Sequence, residues 1–161
     1  MPDKLDIIRQ REGHEVLDYD RYLQHLISVI ANRLTSFSSS QYLSQFGLGS
    51  VEMRVLASLA YQPNQKASEV CSLISIDKAA ASRAIAKLDS QDLLIGETAT
   101  PKGKQKRWSL NQKGWDLHQR FLAVVLNRHE RVVNEIDERE LSQFANTLHK
   151  LIKNIEALDN E

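Results

Sequence analysis

Residues 77–88 read DKAAASRAIAKL, one arginine, two lysines and a serine set among five alanines. Such side chains donate hydrogen bonds and carry positive charge from a surface that lets a partner come close. On a helical wheel at about 100° per residue, Ala81, Ala84, Ile85 and Leu88 share the side a core would take. Lys78, Ala79, Ala80, Ser82, Arg83, Ala86 and Lys87 lie around the other side. That exposed composition suits the major groove of duplex DNA. Arg83 can reach guanine O6 and N7 with two hydrogen bonds, and alanine methyls can meet thymine methyls. Ser82 and Lys87 suit phosphates or base edges. Helix propensity alone also favours alanine, so the neighbouring segments decide between the two readings.

The neighbours are basic. Residues 98–115 hold Lys102, Lys104, Lys106, Arg107 and Lys113 and no acid. The whole chain carries 21 basic and 21 acidic residues, so the remainder has 16 basic against 21 acidic. A locally basic segment on an otherwise acidic molecule points to phosphates. In KRWSL, Trp108 and Leu110 alternate with Arg107 and Ser109. One face of such a strand packs inward and the other meets solvent or phosphate. Lys102, Lys104 and Lys106 around Gly103 suit a loop lying along or in a minor groove.

The remaining pattern supplies the elements that must position these groups. Tyr19, Tyr22, Leu23, Leu26, Ile30 and Phe37 form a helical stripe over residues 18–45, losing regularity in SFSSSQYLSQFGLG. A second helix starts near Gly49, a turn follows at YQPNQ, and SEVCSLI reads as a short helix. Asp77 is an N-cap for the next helix, which runs to about Gln91. LLIGET and KRWSL read as two strands. Helices over about 112–135 and 138–157 close the chain. In the last of these Leu141, Phe144, Ala145, Leu148, Leu151, Ile152 and Ile155 follow helical spacing. The expected fold is mainly α with a small two-stranded β wing, a winged helix-turn-helix. The flanking helices are too apolar to stand alone in water.

The segments LGSVEMRVLASLA, SEVCSLISIDKAAASRAIAKLDSQDLLI and KRWSLNQKG resemble, in order and spacing, the MarR (multiple antibiotic resistance regulator) family of transcription regulators. The resemblance covers residues 48–114. It implies a homodimer binding a pseudo-palindromic DNA operator, with N- and C-terminal helices intertwined. It divides the chain into residues 1–46 and 113–161 for dimerisation and 47–112 for DNA. DNA contacts then fall to Lys78, Ala79, Ala80, Ser82, Arg83, Lys87, Lys102, Lys104, Lys106 and Arg107. Dimer contacts fall to Tyr22, Leu26, Ile30, Leu141, Phe144, Leu148, Leu151 and Ile155. Many relatives are repressors released by small ligands or by oxidation, which implies a small-molecule effector. Three positions depart from the family pattern. Lys102 and Lys104 stand where an acid and an arginine brace the family's wing, Asn111 replaces a threonine, and Asp92 replaces a glycine. The alternative reading, favoured by the zero net charge and the altered wing, is a dimeric interaction module without operator binding.

Other chemistry finds little support. No glycine-rich phosphate loop, G-x-S-x-G or zinc-hydrolase motif occurs, so neither an enzyme nor a cofactor is expected. His14, His25, His118, His129 and His149 show no metal-ligand spacing. Cys71 stands where the family has a small apolar residue and is expected buried and inert. A single cysteine, a charged N-terminus and no run of ~20 apolar residues make the expected location cytoplasmic, away from any membrane.

Overall fold

The computed structural model describes residues 6–98 and 106–158. The chain divides into two compact units, residues 1–115 and 116–161. The described elements run β1 Ile8–Arg11, β2 His14–Leu17, α1 Leu23–Phe46, α2 Ser50–Tyr61, β3 Gln65–Lys66, α3 Ala67–Ile74, α4 Lys78–Ser90, β4 Leu94–Thr98, β5 Lys106–Leu110, α5 Gln112–Val132 and α6 Glu138–Leu158.

In the first unit α2, α3 and α4 pack against one another. Met53, Val55, Leu56 and Leu59 of α2 meet Val70 of α3 and Ala81 and Leu88 of α4 in a core from which water is excluded. The small Ala81 and Ala84 permit close helix approach, while Ile85 and Leu88 supply apolar area, worth about 25 cal/mol per Å² buried. The wing is a three-stranded antiparallel sheet in the order β3-β5-β4. The two-residue β3, pairing Gln65 with Trp108, adds a strand to the expected ribbon. Opposite it, Gly96 of β4 faces Trp108, and a Cβ there would come within 2.8 Å of the indole. Glycine therefore lets the indole lie across the strand. At Gly114 a Cβ would overlap the Leu93 carbonyl, so the first turn of α5 sits directly against the joint between α4 and β4.

Two departures from expectation have local causes. The helix expected from residue 18 begins at Leu23. Before it, the Asp18 carboxylate accepts the Asp20 N–H, and the Asp18 carbonyl accepts those of Arg21 and Tyr22. A side chain that bonds its own backbone in this way competes with helix. Downstream, α1 continues through the serine run to Phe46. The hydroxyls of Ser38, Ser40 and Ser44 donate to carbonyls three or four residues back, and Ser38 and Tyr42 are buried. The helix ends at Gly47, in the left-handed region at φ 67.

The pair β1–β2 was not expected. Its strands are joined by Glu12 and Gly13, both at positive φ, as a two-residue hairpin turn requires. In the second unit, the Asp137 carboxylate caps α6 by accepting the Glu140 N–H at 2.8 Å. No residue of α6 is buried within the chain. Among the described residues no helix is long and apolar enough to cross a membrane.

Candidate nucleic-acid interface

Helix α3 stops at Ile74 because Ser75 turns into the left-handed region at φ 50. The Arg54 guanidinium donates to the exposed Ile74 carbonyl, tying this stop to α2. Two residues on, the Asp77 carboxylate accepts the Ala80 N–H at 2.8 Å and starts α4, as its sequence predicts. The turn between the two helices is thus held at both ends.

On α4 the sides divide as the wheel requires. Ala81, Ala84, Ile85 and Leu88 are buried, whereas Lys78, Ala79, Ser82, Arg83 and Ala86 are exposed and Ala80 is half-buried. Neither Arg83 nor Lys78 has an ion-pair partner among the described residues. Both cations are available to something outside the chain.

Two expected DNA contacts are already engaged. Lys87, half-buried, bonds Glu52 of α2 at 3.1 Å. Burial raises the Glu52 carboxyl, but its own backbone N–H and the Lys87 ammonium outweigh that, and its pKa falls below the ordinary 4.5. The pair fastens α4 to α2. Arg107 donates to the Asn64 carbonyl at 2.6 Å and to Glu69 at 3.3 and 3.4 Å. The Lys66 N–H and then Arg107 lower the Glu69 carboxyl. Beside it the Ser109 hydroxyl accepts the Asn64 N–H at 2.9 Å. The strand face expected to meet solvent or phosphate is therefore bound to the turn before α3. An acid–arginine brace exists in this wing, but it runs from β5 to α3.

The other departures from the family pattern also find a use. Asp92 adopts φ 55, the left-handed conformation usually supplied by glycine. Asn111 donates to the Asp92 carbonyl at 2.9 Å and accepts the Gly114 N–H at 2.9 Å, serving as the N-cap of α5. The Lys113 ammonium pairs with the Asp92 carboxylate. Lys106 holds its ammonium 5.1 Å from the Trp108 ring centroid. Lys102 and Lys104 lie outside the described residues.

Of the residues expected at a dimer contact, Leu26, Ile30, Phe144 and Ile155 are exposed within the chain. Tyr22, Leu141, Leu148 and Leu151 are half-buried. Cys71 is half-buried rather than buried, because neighbouring Val70 takes the inward position on a helix of eight residues. His25 stacks on Tyr19 at 4.2 Å, and burial lowers the His118 pKa. Among the described residues no three metal-binding side chains converge.

A short helix, a tight turn, a second helix with a free polar face and an adjoining antiparallel wing define a winged helix-turn-helix. The same fold occurs in solved MarR-family transcriptional regulators. A MarR/EmrR family regulator from Acinetobacter sp. ADP1 matches with TM-score 0.81 and 24% identity, over 88% of this chain and 99% of that one. A MarR-family regulator from Silicibacter pomeroyi matches at 0.77 and 22%, over 86% and 92%. MepR of S. aureus, solved as a DNA complex, matches at 0.70 and 17%, over 82% and 96%. This chain has the MarR-family fold. No family sequence model and no curated protein matches it.

Proposed function

We propose that the chain is a MarR-type transcription regulator that reads duplex DNA as a homodimer and acts as a repressor. The observation carrying this reading is α4. Its inward side is fully packed, and its outward side offers Arg83 and Lys78, neither ion-paired among the described residues, set among small side chains and close in sequence to a basic segment. Arg83 reads a base, with Ala79, Ala80 and Ser82 giving clearance. Lys78, Lys102, Lys104 and Lys106 neutralise phosphates. Lys87 and Arg107 hold the reading head in shape through Glu52 and Glu69. The similar fold of MepR in its DNA complex supports the assignment.

The dimer follows from apolar stripes that this chain leaves uncovered. Leu23, Leu26, Ile27, Ile30 and Phe37 of α1 and Phe144, Ile152 and Ile155 of α6 are exposed. A second copy covers them, and two copies present two α4 helices to half-sites about one DNA turn, or 34 Å, apart. A small effector that binds two dimer shapes unequally releases the DNA. The test is affinity for genomic and scrambled duplexes over a salt series. Tight, salt-dependent, sequence-preferring binding supports the reading. No binding at low salt leaves the interaction module, which the balanced net charge favours.

A further inference from the structure

A shallow groove of about 310 Å³ lies between the edge of α4 and the wing. Ile85 and Ala86 give it apolar surface, Ser82 a hydroxyl, Asp89 a carboxylate, and Trp108 an indole, with Lys106 at its margin. The Asp89 carboxylate has no ion-pair partner among the described residues. The indole is fixed in place because it lies across Gly96. Its face already attracts a cation, since Lys106 Nζ stands 5.1 Å from the ring centroid, inside the ~6 Å range of a cation–π contact.

We propose that this groove binds a small organic cation, an alkyl or quaternary ammonium, which displaces Lys106 from Trp108 and lies beside Asp89. The groove offers two features that favour positive charge, an indole face and a carboxylate with no ion-pair partner among the described residues. An anion would gain Lys106 but face both Asp89 and the negative face of the indole, and a neutral ligand would leave both attractions unused. Its volume is at the lower end of ligand pockets, typically about 300–1,000 Å³, which suits a ligand of choline's size. Lys106 is the first residue of β5 and Ser82 is on the exposed side of α4, so an occupied groove competes with DNA. That competition rests on the DNA-reading function proposed above; cation binding does not.

The experiment titrates the full chain with choline chloride and with its neutral isostere 3,3-dimethyl-1-butanol, reading the Trp108 indole resonance. Sodium chloride at matched ionic strength controls for salt. A saturable shift with choline, at least tenfold weaker with the isostere and at least tenfold weaker in Asp89→Asn, is the expected result. Asp89 is exposed, so this variant decides the matter even where Trp108→Leu fails to fold. Equal responses to choline and the isostere, or an Asp89→Asn variant that binds like the parent, overturn the site. In parallel, choline should release a labelled duplex beyond the sodium chloride control. Saturable choline binding that leaves the duplex in place overturns the competition. A chain that binds no duplex at low salt overturns the DNA reading, while the choline titration still decides the groove.

Discussion

Arg83→Ala separates reading from folding. Arg83 is exposed and has no ion-pair partner among the described residues, so truncation breaks no internal salt bridge there. Alanine is also the better helix former, and fold stability should stay within about 0.5 kcal/mol of the parent. On DNA, one bidentate base contact is worth about 1–3 kcal/mol. A symmetric dimer forfeits it twice, about 2–6 kcal/mol, which is roughly a 30-fold to 10⁴-fold drop in operator affinity. Scrambled duplex should weaken far less, because its binding is carried by phosphates. Lys106→Ala is the opposite case, weakening operator and scrambled DNA alike and lowering the salt slope by about 0.9 for each phosphate left unneutralised. The assay is fluorescence anisotropy against both duplexes from low to physiological salt, with urea unfolding of each variant alongside. Equal weakening on both duplexes for Arg83→Ala, with selective weakening on the operator for Lys106→Ala, would reverse the assignment. No effect from either would show that α4 does not read DNA.

Gly114→Ala places a methyl against the Leu93 carbonyl and should destabilise the fold by at least about 2 kcal/mol, despite its better helix propensity, as read by urea unfolding. Glu52→Gln should cost about 1 kcal/mol at neutral pH, a figure discounted because Lys87 is partly exposed. The folded Glu52 carboxyl lies below its ordinary 4.5, so its ionisation contributes stability above that value. The contribution disappears as pH falls through the folded pKa, and the gap between parent and Glu52→Gln should close there. Ile155→Asp alters a residue 59% exposed within the chain. In a monomer it would be near neutral, whereas in the proposed dimer it buries an unpaired charge. Sedimentation should show dissociation together with loss of stability, and an unchanged dimer would exclude α6 from the interface.

Much of the reading head is legible without coordinates because it is local. The inward side of α4 follows from a period of 3.6, and Asp77 and Asp92 act on backbone within three residues of themselves. The alternation expected for Trp108 and Leu110 from a period of 2 holds only at Leu110, which is buried, while Trp108 is half-buried like Arg107 and Ser109. The first hairpin left only one local signal, Gly13 at its turn, because its strands are mostly charged and polar and bury almost nothing. What only the tertiary structure decided is which cations are free. Lys87 and Arg107 look like Arg83 and Lys78 in sequence, yet they are held by Glu52 and Glu69, 35 and 38 residues away. Long flexible side chains find partners set by how α2, α3 and β5 meet, and no spacing rule records that meeting. The serine run shows the same limit: intrinsic preference favours a break, while back-bonding hydroxyls and the burial of Ser38 and Tyr42 keep α1 continuous.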